Sequence, residues 1–133
     1  MKHLIRPIEV EQKINYQAEG QDSFKYQRTA QHYQLRTYDK LVFEDYNHQP
    51  IQIKWWTEGE DQLEWVEIQQ QAGKLCFNLA QKLTNPYQTP QGVWLLESST
   101  HKLDLSQGIE IHYSLNLGQQ SLGIYEFQLI FKD

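Results

Sequence analysis

The sequence predicts an all-β domain on three observations: apolar residues alternate with polar ones, turn residues separate the alternating runs, and the length suits one core. Alternation marks a strand with one buried and one wet face, because successive side chains point to opposite sides. It begins with Ile8, Val10, Ile14, Tyr16 and Ala18, between which lie Glu9, Glu11, Lys13, Asn15, Gln17 and Glu19. A helix would space its apolar residues by three and four. Pro7, just before the run, is tolerated at a strand's first residue.

Residues 19–22 then read as a polar turn. Phe24 and Tyr26 share one parity while Tyr33 and Leu35 share the other, which predicts a bulge near residues 28–31. A strand over 41–46 follows a turn at 37–40, and residues 47–50 break it. Ile51, Ile53 and Trp55 alternate with Gln52, Lys54 and Trp56, and an acidic turn around Gly59 leads to a strand with Leu63, Trp65, Val66 and Ile68. Gln71-Ala72-Gly73-Lys74 reads as a hairpin turn into Leu75, Phe77 and Leu79. Residues 81–91, with Asn85-Pro86 and Thr89-Pro90, read as irregular. Strands follow from 93 toward 105, over 109–117, and at the end with Tyr125, Phe127, Leu129 and Phe131 on one face. Eight to nine short strands fit either a sandwich or a closed barrel, and periodicity alone does not choose.

Composition narrows the function classes. At 133 residues, with 39% hydrophobic and 13% aromatic content, the chain has material for one packed domain spanning 1–133. A net charge of -5 and scattered Lys and Arg oppose nucleic-acid binding and membrane-surface binding alike. Cys76 is the single cysteine, so no internal disulfide forms and an oxidising compartment is not required. The first residues lack the apolar core of a signal peptide, and no apolar run reaches bilayer length. A cytoplasmic setting is the simplest expectation.

The second half carries a resemblance. Tyr87-Gln88-Thr89-Pro90-Gln91-Gly92 precedes an apolar strand leading to Ser99-Thr100, and Gly108-Ile109-Glu110-Ile111-His112-Tyr113 precedes the last alternating strand. This arrangement resembles the YwiB-like family, small bacterial proteins of unknown function. The likeness covers nearly the whole chain, with residues 33–46 similar to that family's long central hairpin. Ala30 departs from it, standing where a glycine is expected. The resemblance implies a single antiparallel up-and-down, calycin-like (lipocalin-like) barrel of about eight to nine strands. Calycin-like barrels in general often hold small ligands inside.

Catalytic chemistry has no signature here. His3, His32, His48, His101 and His112 have no second ligand at a metal-type spacing, so neither metal nor cofactor is implied. Ser98 and Ser99 lack a nucleophile elbow, and Cys76 sits in an apolar strand as a packing thiol. Glu44 and Asp45 are strand neighbours facing opposite ways, and Glu58 to Asp61 is a solvated turn. The expectation is a non-enzymatic protein.

Two sets of residues stand out for binding. Arg28 and His32 fall at the expected bulge, and Tyr87 and Thr89 fall in the irregular segment, where strand regularity fails and a barrel mouth is expected. If Arg28 turned inward, burial would demand a partner, and it would favour an anionic or strongly polar ligand end. The ordinary reading makes Arg28 solvated and Thr89 a turn cap. Trp55 and Trp56 must face opposite ways, one filling the barrel and one offering an anchor on the outer face for a protein partner or a second copy. A ligand-binding barrel and an interaction or dimerisation module are therefore the two functional classes expected.

Overall fold

Among the described residues, ten strands carry the alternation seen in the sequence. They are β1 (Lys2–Tyr16), β2 (Gly20–Gln34), β3 (Asp39–Glu44), β4 (Pro50–Glu58), β5 (Leu63–Gln69), β6 (Lys74–Phe77), β7 (Leu83–Thr89), β8 (Gly92–Asp104), β9 (Ile109–Leu117) and β10 (Gln120–Phe131). This computed structural model describes residues 1–16 and 20–133. Ala18 and Glu19, read above as the end of a strand and the start of a turn, lie outside the described residues.

All pairings are antiparallel, in the order β6-β5-β4-β3-β2-β1-β10-β9-β8-β7. Each strand except β6 thus pairs with its chain successor, and β10 returns to β1 over the register Ile8↔Phe131 to Asn15↔Ile124. The result is an up-and-down barrel, nearly closed, whose seam lies mid-chain between β6 and β7.

The count exceeds the expected eight to nine because residues 83–89 form β7 rather than an irregular stretch. Asn85-Pro86 looked like a breaker. β7, however, has a ladder only toward β8, so it behaves as an edge strand, where a proline's missing N–H is tolerated. The bulge expected near residues 28–31 is absent. The β1–β2 register runs unbroken from Lys2↔Gln34 to Tyr16↔Gly20. His32, not Tyr33, takes the inward position, and Tyr33 lies outside, stacked on His3 at 4.4 Å. The register shifts fall in β8, between Thr100 and Lys102, and in β10, between Ser121 and Gly123.

One parity of each strand fills the barrel. Ile8, Val10, Leu41, Ile53, Val66, Phe77, Ile111 and Leu129 are all at or below 1% exposure. Burying each such side chain contributes about 1.5–3 kcal/mol, so these contacts dominate the fold's stability. Ala30 is also fully buried.

The seam needs separate accounting, since β6 and β7 share no continuous ladder and buried backbone groups must find partners. Two buried side chains supply them. The Asn85 carbonyl oxygen accepts from the Cys76 N–H at 2.9 Å, and the Ser98 hydroxyl donates to the Cys76 carbonyl at 2.8 Å. The Asn85 amide nitrogen in turn donates to the carbonyls of Leu83 and Leu96 and to the Ser98 hydroxyl, each at 3.2 Å. Further up, Gln88 N–H reaches the Ala72 carbonyl at 2.7 Å and Gly73 bridges Tyr87. Gly73 has to be glycine here, since a Cβ would lie 2.7 Å from the Pro86 carbonyl oxygen.

Asn85→Leu should therefore lower stability by about 2–3 kcal/mol, and Ser98→Ala by about 1–2 kcal/mol, because each leaves buried backbone groups unpaired. Urea unfolding monitored by circular dichroism measures both. A loss for Asn85→Leu below about 0.5 kcal/mol, the range of neutral surface changes, would show that the seam is held by other means.

Candidate functional site

An antiparallel barrel gathers alternate turns at the same end. The turns after β1, β3, β5, β7 and β9 define an upper end, and those after β2, β4, β6 and β8 a lower end together with both chain termini. Strand lengths differ at the upper end. β2 pairs with β3 only from Gln31↔Val42 to Gln34↔Asp39, although it pairs with β1 over its full length. The β1–β2 hairpin thus overhangs the β3–β4 turn, and the space beneath the overhang is a cavity of about 300 Å³.

Ile51, Ile68 and Phe127 form its floor with Tyr113, whose ring lies between Phe77 at 4.5 Å and Tyr125 at 5.1 Å. Tyr26 and Leu75 make walls, and Phe24 and Tyr46 lean together across the overhang at 5.2 Å. Three amides sit among these rings, from Gln12, Asn47 and Gln70. Gln70 accepts from the Tyr87 hydroxyl at 3.0 Å. Burial keeps all three phenols protonated: Tyr26 is pushed up to about 12, helped by nearby Asp45, and Tyr87 and Tyr113 are raised for the same reason of desolvation.

The four residues expected at a mouth do not assemble into one site. Tyr87 lies at the upper end, its ring packed against the core and its hydroxyl on Gln70. Arg28 shares the inward parity but its guanidinium closes the slit between β2 and the β3–β4 turn. It donates to the Gln27 carbonyl at 2.8 Å and the Asp45 carbonyl at 2.9 Å, and it lies 4.8 Å from the Tyr26 ring centre. Its partners are backbone oxygens and a ring face, not a carboxylate. Thr89 caps the β7–β8 turn, donating to the Gly92 carbonyl and accepting from the Gln91 N–H.

His32 belongs to the lower end, 3% exposed, with Trp55 at 5.3 Å and Phe131 at 5.8 Å. Arg6 has only donors, so its contact to His32 Nδ1 at 3.2 Å makes that nitrogen the acceptor, and Nε2–H donates to Asp39 at 2.8 Å. Arg6 also grips Asp133 through two bonds of 2.8 and 3.0 Å, which hold the Asp133 carboxyl below the usual range. This chain of charges plugs the bottom of the barrel. Trp55 packs inside, while Trp56 faces out, parallel to Trp65 across the β4–β5 ladder at 6.1 Å and bonded to Glu58. Cys76 pairs opposite Glu67, on the outward parity, and partial burial raises its thiol pKa. Among the described residues no three metal-ligating side chains cluster.

Sequence reasoning missed Gln12, Tyr26, Gln70 and Tyr113. Gln12 was detectable, since it is a polar residue on the parity of Ile8, Val10 and Ile14. Gln70 sits at a turn, where polarity carries no signal.

The family model for a domain of unknown function, DUF1934, matches residues 8–129. The chain belongs to the DUF1934 family. A crystal structure of ywiB protein from Bacillus subtilis has the same fold, with a TM-score of 0.62 over 97% of this chain and 94% of that one, at 17% identity. The YwiB-like resemblance of the sequence is thereby shown, and the overhanging mouth is described on a DUF1934 barrel. No curated protein matches the chain.

The raised phenols give a pH signature. The unfolded chain releases a tyrosine proton near pH 10, while folded Tyr26 holds it to about 12. Its contribution to stability is thus whole below about pH 10 and is lost as pH rises toward the folded value. Tyr26→Phe should show a shallower fall in melting temperature between about pH 10 and 12 than the parent chain. Identical slopes would mean that Tyr26 is solvated.

Proposed function

We propose that this DUF1934 barrel is a non-enzymatic, cytoplasmic protein that binds a small molecule in its upper mouth. The observation that carries this is the cavity of about 300 Å³, floored by buried core residues and edged by the Gln12 and Gln70 amides. Ligand pockets are concave sites in which a few placed polar groups fix the ligand, and this cavity, whose lining mixes polar and apolar surface, lies at the lower end of their volume range. The core beneath the floor is filled by side chains, as in other small barrels, so the site is a cup rather than a through-channel. Tyr87 serves the reading by holding Gln70, and Arg28 by fixing the rim. His32 and Thr89 act on the lower plug and on a turn.

The outer Trp56–Trp65 pair supports a second reading, a protein partner or second copy docking on the β4–β5 face. An aromatic pair opposed across two strands also stabilises its own hairpin, and that duty accounts for it without a partner. The mouth therefore ranks first.

Native mass spectrometry of the purified protein should detect a copurified small molecule, and Leu75→Trp, which fills the cavity, should remove it. Leu75→Phe is the milder variant should tryptophan overpack the core, which typically costs about 1–3 kcal/mol. A molecule retained equally by both folded variants would place binding elsewhere.

A further inference from the structure

We infer that the upper mouth selects an uncharged, planar aromatic ligand that carries an amide-like edge. The inference rests on the mouth being a binding site, and it adds the chemical class.

Charge comes first. Among the described residues lining the cavity, Asp45 is the one ionised group. Its Oδ1 accepts the N–H groups of Asn47 and Gln49 at 2.9 Å each, so it is committed to its own turn. Arg28, bonded to the Asp45 backbone at the same rim, offsets its charge, so the rim carries no net field that draws an anion. A cation finds its natural position taken. The Arg28 guanidinium already lies over the Tyr26 ring and bonds the Asp45 carbonyl, where a ligand cation would gain the same two contacts. The inward arginine therefore closes the rim instead of receiving an anionic ligand, contrary to what its sequence position implied.

Shape and hydrogen bonding supply the rest. Phe24, Tyr26 and Tyr113 bring aromatic rings to the cavity lining, and aromatic rings favour offset or edge contacts with another planar ring. Gln70 uses its oxygen on the Tyr87 hydroxyl, which leaves its N–H donors for an acceptor. Gln12 and Asn47 line the same cavity, and each primary amide carries both a donor and an acceptor. Donors and acceptors offered side by side are complemented by a lactam or carboxamide edge. A site built to hydrogen-bond such an edge discriminates against ligands lacking it, because its polar groups would then be buried unpaired.

A matched set of probes tests the class: 2-naphthamide, 2-naphthoate and protonated 2-naphthylmethylamine, titrated against the full chain by intrinsic fluorescence and ligand-observed NMR. The amide should bind at least about tenfold tighter than either charged probe, a difference of about 1.4 kcal/mol. Gln70→Leu should weaken it several-fold, and Leu75→Trp should abolish it. If a charged probe binds as well or better and Leu75→Trp still abolishes binding, the chemical class is overturned while the mouth stands. An unchanged affinity in folded Gln70→Leu overturns the amide edge. If no probe saturates, the chemical class is overturned and the copurified molecule decides the mouth; if a probe binds and Leu75→Trp changes nothing, the mouth itself is refuted and the inference falls with it.

Discussion

Everything in this barrel depends on closing the seam between β6 and β7. β6 has four residues and pairs with β5 alone, so its far edge would present bare N–H and carbonyl groups directly over the core. Such an edge invites pairing with another chain and admits water to Phe77 and Leu96 beneath it. Asn85 and Ser98, at 3% and 1% exposure, answer this with side chains in place of a ladder. A side-chain clasp is local, so it tolerates the proline at 86 that a continuous ladder would reject. It also leaves the upper part of the seam to the Gly73–Tyr87 bridge and the Gln70–Tyr87 bond, which form one wall of the mouth. Closure and the candidate site therefore share a boundary.

The second constraint is unequal strand length. β1 and β2 have 15 residues each, while β3 has six, so the hairpin they form runs beyond its neighbour. A matched hairpin would have covered the upper end with ladder bonds. Instead Arg28 ties the backbone of β2 to that of the β3–β4 turn, and Phe24, Tyr26 and Tyr46 cover what remains. Aromatic rings with phenol tips suit that position, apolar toward the core and polar toward water.

Much of this was legible in the alternating pattern, and the rest was hidden for identifiable reasons. The inward sets on β4, β9 and β10 follow directly from Ile51, Ile53 and Trp55, from Ile109, Ile111 and Tyr113, and from Phe127 and Leu129. β2 misled because His32 is buried and Tyr33 is not, an inversion that only the Asp39 and Arg6 partners make affordable. β7 was hidden by Pro86, since strandedness there is set by the seam, a contact nine residues away at Cys76. The candidate site was the least visible part. Its amides come from β1 and from the β3–β4 and β5–β6 turns, and no local spacing relates Gln12 to Gln70.

The two ends of the barrel treat polarity differently, and that contrast supports the proposal of a site at the upper end. At the lower end the polar side chains complete one another. Asp39 takes the His32 N–H, His32 takes Arg6, and Arg6 takes both oxygens of Asp133 while covering the Phe131 ring at 3.6 Å. Such a chain of mutually bonded side chains rigidifies the lower end. At the upper end the Gln70 amide is bound on its oxygen side by the Tyr87 hydroxyl, which fixes its direction, and Gln12 and Asn47 line the cavity beside it. Orientation supplied from within the protein, with hydrogen-bonding capacity left outward, is what a preorganised site requires. The plug below and the clasp along the seam hold the frame, so the mouth can keep polar groups directed at a ligand without loosening the core.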